Sequence, residues 1–180
     1  ILPIFGGTAV IGGTLIYLML YIPDVLVKYL GLKPHHFDRI YTWLRPEDYS
    51  GNEAFQLEQS MSAIGSGMMS GKLMSGEPVY IPEKHSDFIF STIGEEFGFI
   101  GSSIVVGLFF ILIFHLTKVA LSALDPYISY VFAGIISMVT FHVFQNIGMT
   151  IQVLPITGIP LPFISYGGSS LMGNMMAMGI

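Results

Sequence analysis

Charged positions are confined to one part of this chain, and the remainder falls into long apolar runs. Residues 1 to 23 contain no Asp, Glu, Lys or Arg; a second uncharged run extends from about Phe97 to Thr117, and a third from about Tyr127 to Leu154. Each exceeds the roughly 20 apolar residues that a helix needs to cross a hydrocarbon core of about 30 Å. Their ends suit water: Asp24 follows the first, Glu95-Glu96 and Lys118 flank the second, and Asp125 precedes the third. The first run lacks the basic start and small-residue cleavage site of a signal peptide, so it reads as a span. Pro155 ends the third helix. A fourth apolar run, 169 to 180, would rise only about 18 Å as a helix. The pattern predicts three spanning helices and a truncated fourth, as in a fragment that stops inside its last helix.

Between the first two spans, residues 24 to 96 hold six of the seven basic residues and eleven of the twelve acids. A positive-inside count would place this loop in the cytoplasm, but that rule loses force beyond about 60 residues, so charge leaves the orientation open. Within the loop, "FQLEQSMSAIGSGMMSGKLM" (55 to 74) mixes small and apolar residues in a way that predicts a short helix on or dipping into the interface. Composition strengthens the membrane reading: 52% of residues are hydrophobic, 11% are charged, and the mean hydropathy is +0.69. The net charge of -5 argues against a nucleic-acid surface. With no cysteine, disulfides and thiol chemistry are excluded.

Four stretches carry candidate chemistry. In "GSGMMSGK" (65 to 72), Ser66 stands where a nucleotide-binding P-loop begins with Gly, and Leu73 stands where it needs Ser or Thr, so ATP binding is rejected. Lys72 is left with two readings, a point charge for a phosphate or a lysine snorkelling at the interface. In "IPEKHSDFIFSTIGEEFGFIG" (81 to 101), Asp87 stands at the mouth of a membrane helix. A helix cap is the ordinary role for such an acid, and a single general base is the functional one. Glu95 lies about 12 Å further along a continuous helix and some 80° around it. That is too far for the roughly 6.5–9.5 Å of an inverting carboxylate pair.

On the third span, His142, Gln145, Asn146 and Met149 share one helical face. They either hydrogen-bond between helices or line a substrate path. His115 reads as interfacial, and His35-His36 has no ligand constellation around it. Finally, "PLPFISYGGSS" (160 to 170) gathers helix breakers in an uncharged region. Broken backbone in a membrane persists only where protein or a wet cavity surrounds it, which marks the stretch as part of a site.

Taken in order, "RIYTWLRPED", "QLEQSMSAIGSG", "PEKHSDFIFSTIGEEFGFIG", "FQNIGMTI" and "LPITGIPLPFISYGGSS" resemble the SEDS family of RodA, FtsW and SpoVE proteins, with "TGIPLP" nearest RodA. The resemblance covers about residues 38 to 180. It implies an all-α integral membrane protein, a polytopic bundle of about ten helices with a large extracytoplasmic loop, of which this chain is a fragment from the C-terminal portion. It implies a peptidoglycan glycosyltransferase of the bacterial cell membrane that polymerises lipid II into nascent glycan beside a class B penicillin-binding protein, among membrane lipids.

The family's essential acid corresponds to Asp87, a recurrent loop arginine to Arg39, and a polar run to Gln56, Gln59 and Ser60. Arg39, Lys72 or Lys84, with or without a divalent Mg or Mn ion, would stabilise the departing lipid pyrophosphate. Gln145 and Asn146, with Ser165, Tyr166, Gly167, Gly168 and Ser169, would shape the substrate groove. Departures are Arg45 for a common Asn, Met68-Met69 and Leu73 within a pattern richer in glycine, and Gln152 for a usual Gly. Broken helices also suit a flippase for lipid-linked precursors, and a non-catalytic scaffold is a third reading.

Overall fold

The computed structural model describes residues 52–72 and 86–179, together with Val10, Gly13, Thr14, Arg39 and residues 42–44. Most of the expected first span, the segment 73 to 85 with Lys84, and His35-His36 lie outside the described residues. The chain divides into two compact units, Ile1–Tyr49 and Ser50–Ile180. In the first, Arg39 and residues 42–44 are helical, and the Thr14 hydroxyl donates to the Val10 carbonyl.

Among the described residues the second unit contains four helices: α1 (Asn52–Gly67), α2 (Ile89–Ser122), α3 (Pro126–Thr150) and α4 (Gly168–Met178). No strand occurs among the described residues. Asp125 starts α3, its Oδ1 accepting from the Tyr127 N–H at 2.9 Å, and Pro126 supplies the fixed φ of a first helical turn. The short connection before it brings α3 back along α2, and Ser129 Oγ donates to the Ala120 carbonyl at 2.9 Å to fasten the corner. α1 packs on α2, and α2 on α3. Where the three meet, Leu57, Ala63, Phe88 and Met149, with Ile156 from the following loop, form the buried core. Beside it Ser60 Oγ lies 2.5 Å from Ser91 Oγ and donates to the Thr150 carbonyl at 3.0 Å.

The outward faces of α2 and α3 are bare. Leu108, Phe110, Ile111, Phe114, Phe141 and Phe144 are exposed. A soluble protein would bury such helices, so these faces belong in lipid. Lys118 lies over the Phe114 ring, 4.9 Å from its centroid, as a lysine does when its stem stays on apolar surface and its charge seeks the interface.

α2 begins eight residues before Phe97 and is interrupted at Gly98, where φ 64 and ψ -161 leave the helical region. The break frees backbone groups that a membrane cannot satisfy. The segment after α1 takes them up: Phe99 N–H bonds the Met68 carbonyl at 2.9 Å, Ile100 N–H bonds the Met69 carbonyl at 3.1 Å, and Lys72 N–H bonds the Glu95 carbonyl at 3.0 Å. The backbones are so close that a Cβ on Gly98 would sit 2.4 Å from the Gly71 nitrogen. "GSGMMSGK" is therefore a backbone patch for a broken helix, which accounts for Gly67 and Gly71 without a nucleotide.

Candidate active site at the mouth of α2

Asp87 occupies the turn 86–88 that leads into α2, half-buried beside the fully buried Phe88. It does not cap the helix. Phe88 is the N-cap and no side chain caps it, whereas the Asp87 Oδ1 accepts from Ser86 Oγ at 2.8 Å. The ordinary role of an acid at this position is thus unfilled.

Two side chains clamp the Asp87 turn to the loop after α3. Asn146 Nδ2 donates to the Asp87 carbonyl and to the Ile159 carbonyl, each at 2.8 Å. Ser165 Oγ donates to the Ser86 carbonyl at 2.7 Å and accepts from the Leu161 N–H at 2.7 Å. The clamps act on successive residues of the turn. Between them Gly158, at φ +70, brings its backbone against the carboxylate: a Cβ there would lie 3.2 Å from Asp87 Oδ2. Asn146 is fully buried, and among the described residues its Oδ1 has no partner. An unmet buried acceptor costs about 1–3 kcal/mol, so the amide is not there for packing alone.

The stretch 160 to 170 folds back on the Asp87 turn through Ser165. A cavity of about 570 Å³ opens alongside, lined by Ile89, Phe163, Ile164, Ser165, Tyr166, Gly167, Gly168 and Leu171. Tyr166 is exposed at its wall, and Ser169 is exposed in the first turn of α4.

The other expected contacts go elsewhere. Lys72 Nζ pairs with Glu95 Oε1 at 3.2 Å, the carboxylate side chain being 7% exposed, so this ammonium is held on α2 instead of snorkelling. Gln145 Nε2 donates to the Pro155 carbonyl at 3.2 Å. Ser60 is fully buried in its hydroxyl pair. Gln56 and Gln59 are half-buried on α1. Arg39 belongs to the first unit. His142 lines a separate cavity of about 280 Å³ with Asn174 and Pro160, and Met149 is in the core. Ser86 and Gly158 escaped the sequence reading. The available signals were a hydroxyl adjacent to the acid and a glycine just before the Ile-Pro-Leu-Pro run.

A family model described as cell cycle protein, that of FtsW, RodA and SpoVE, matches residues 4–180. This chain belongs to that family. Stage V sporulation protein E of Bacillus subtilis strain 168 is 41% identical over 82% of this chain and 41% of its own length. The peptidoglycan glycosyltransferase RodA of Treponema pallidum is 39% identical over 83% of this chain and 35% of its own. The probable peptidoglycan glycosyltransferase FtsW of Geobacter metallireducens is 40% identical over 79% and 39%. The chain thus spans about two fifths of the length of the curated relatives it matches.

Among solved structures, a chain from "Structural coordination of polymerization and crosslinking by a peptidoglycan synthase complex" superposes with a TM-score of 0.68. It is 31% identical over 92% of this chain and 45% of that one. Two SEDS departures now have a backbone meaning. Met68 and Gln152, in segments where the family pattern carries glycine, have φ 47 and φ 62. Both hold conformations that glycine adopts without strain.

Proposed function

We propose that the full-length protein containing this chain is a peptidoglycan glycosyltransferase of the bacterial cytoplasmic membrane, polymerising lipid II at the outer face with Asp87 as general base. The observation that carries this reading is a carboxylate that caps nothing, held at a helix mouth by clamps on both sides. A sugar hydroxyl is a poor nucleophile at neutral pH. Asp87 Oδ2 takes its proton as the hydroxyl oxygen bonds to the donor's anomeric carbon, and the bond to the lipid pyrophosphate breaks with the electron pair leaving on the phosphate. Proton transfer of this kind supplies about 10²–10⁴-fold.

Arg39, Lys72 or Lys84 would meet the developing phosphate charge. A divalent Mg or Mn ion would add positive charge at the same pyrophosphate. A class B penicillin-binding protein is the proposed partner; the solved neighbour's description, polymerization coordinated with crosslinking, supports it.

The test uses the full-length protein in liposomes with purified lipid II. Asp87→Asn should lower polymer formation by about 10²–10⁴-fold while the protein stays folded. Polymer at the normal rate would remove Asp87 from the mechanism. Transbilayer movement of lipid II without polymer from the unaltered protein would favour a carrier instead.

A further inference from the structure

We propose that Asn146 is a positioning residue for the reaction: its amide sets the angle and depth at which Asp87 presents its carboxylate. The inference rests on the reading of Asp87 as the base. Asn146 sits on α3, whereas the two carbonyls it binds belong to the turn before α2 and to the loop after α3. A single planar NH₂ group therefore fixes the distance between two segments that are 72 residues apart, Asp87 and Ile159 (159 - 87 = 72). Holding the Ile159 carbonyl places Gly158 one residue earlier, where its backbone at φ +70 lies against Asp87 Oδ2. Holding the Asp87 carbonyl fixes the Cα from which the carboxylate projects.

Ser165 fastens the neighbouring residue of the same turn, Ser86, whose hydroxyl orients Asp87 Oδ1. One carboxylate oxygen is thereby occupied, and the other is left toward Gly158. Asn146 is fully buried, so it acts through Asp87 and not on substrate. Displacing a proton acceptor by about 1 Å costs on the order of 10²-fold in rate with little change in substrate binding.

The experiment measures kcat and KM for lipid II polymerisation by the full-length protein and three variants, Asn146→Leu, Gly158→Ala and Asp87→Asn. Leucine keeps the branched shape of Asn146, with a larger volume, and removes both donated hydrogen bonds. Alanine at Gly158, an exposed position, pushes on the carboxylate from the other side. The expected result is a fall in kcat of about 10- to 100-fold in both, with KM within about twofold, and no further loss when Asn146→Leu is added to Asp87→Asn. A rise in KM with kcat unchanged, or wild-type kinetics in a folded Asn146→Leu, overturns the positioning role. If Asn146→Leu does not accumulate in membranes, Gly158→Ala decides alone, and wild-type kinetics there overturns it equally. An inactive Asp87→Asn beside a fully active Asn146→Leu sinks only this inference. An active Asp87→Asn sinks the base and this inference together.

Discussion

Gln152 follows the C-cap of α3 with φ 62, while its N–H reaches the Met149 carbonyl at 3.3 Å and the Val153 N–H reaches the Gly148 carbonyl at 2.8 Å. That pairing is the Schellman ending, which places its left-handed residue where this glutamine stands. A side chain there crowds the following carbonyl at about 1–2 kcal/mol. Gln152→Val should therefore be less stable than Gln152→Gly by about that amount, read as a lower Tm of the full-length protein. Equal Tm values would mean that the turn relaxes. Asp87 could be singled out from sequence because an acid beside Phe-Ile-Phe at a helix mouth is chemically conspicuous. Asn146 was visible as a polar residue in a span, but its role was not, because helical periodicity says which face a side chain occupies and nothing about which distant carbonyl it will meet.

At the scale of elements, α2 departs from its sequence outline for an electrostatic reason. Glu95-Glu96 looks like the water-facing edge of a span beginning at Phe97, yet the helix starts at Ile89 and Glu95 is buried. The ammonium that makes this tolerable arrives from 23 residues upstream. No local pattern announces it. Lys72→Met should take the ammonium away from a buried carboxylate and cost about 3 kcal/mol, toward the lower end for buried pairs because Lys72 is 29% exposed. Adding Glu95→Leu should restore most of that stability. If Lys72 instead meets a phosphate, the double variant would regain its Tm and remain impaired in polymerisation. The start of α3, by contrast, was legible: the uncharged run from about Tyr127 behind Asp125 predicts it, and α3 begins at Pro126 with Asp125 as its N-cap.

For the molecule as a whole, composition was sufficient to name the solvent, because half the residues are hydrophobic and many of those on α2 and α3 point outward. The arrangement that makes a site was less legible, since it depends on α3 and its following loop closing over the start of α2. Lipid around the bare faces also keeps water from most amides of these helices, which should exchange their hydrogens only when the helices themselves open. Phe99 and Ile100 are different. Their N–H groups are donated to Met68 and Met69 instead of their own helix, so a brief lifting of that segment uncovers them while the rest of α2 stays intact. Deuterium uptake at these two amides should run ahead of their neighbours along α2 and quicken in Lys72→Met; uptake matching the neighbours would show that segment and helix open as one. Two positions inside an otherwise silent membrane helix thus serve as a clock for how often the patch comes undone.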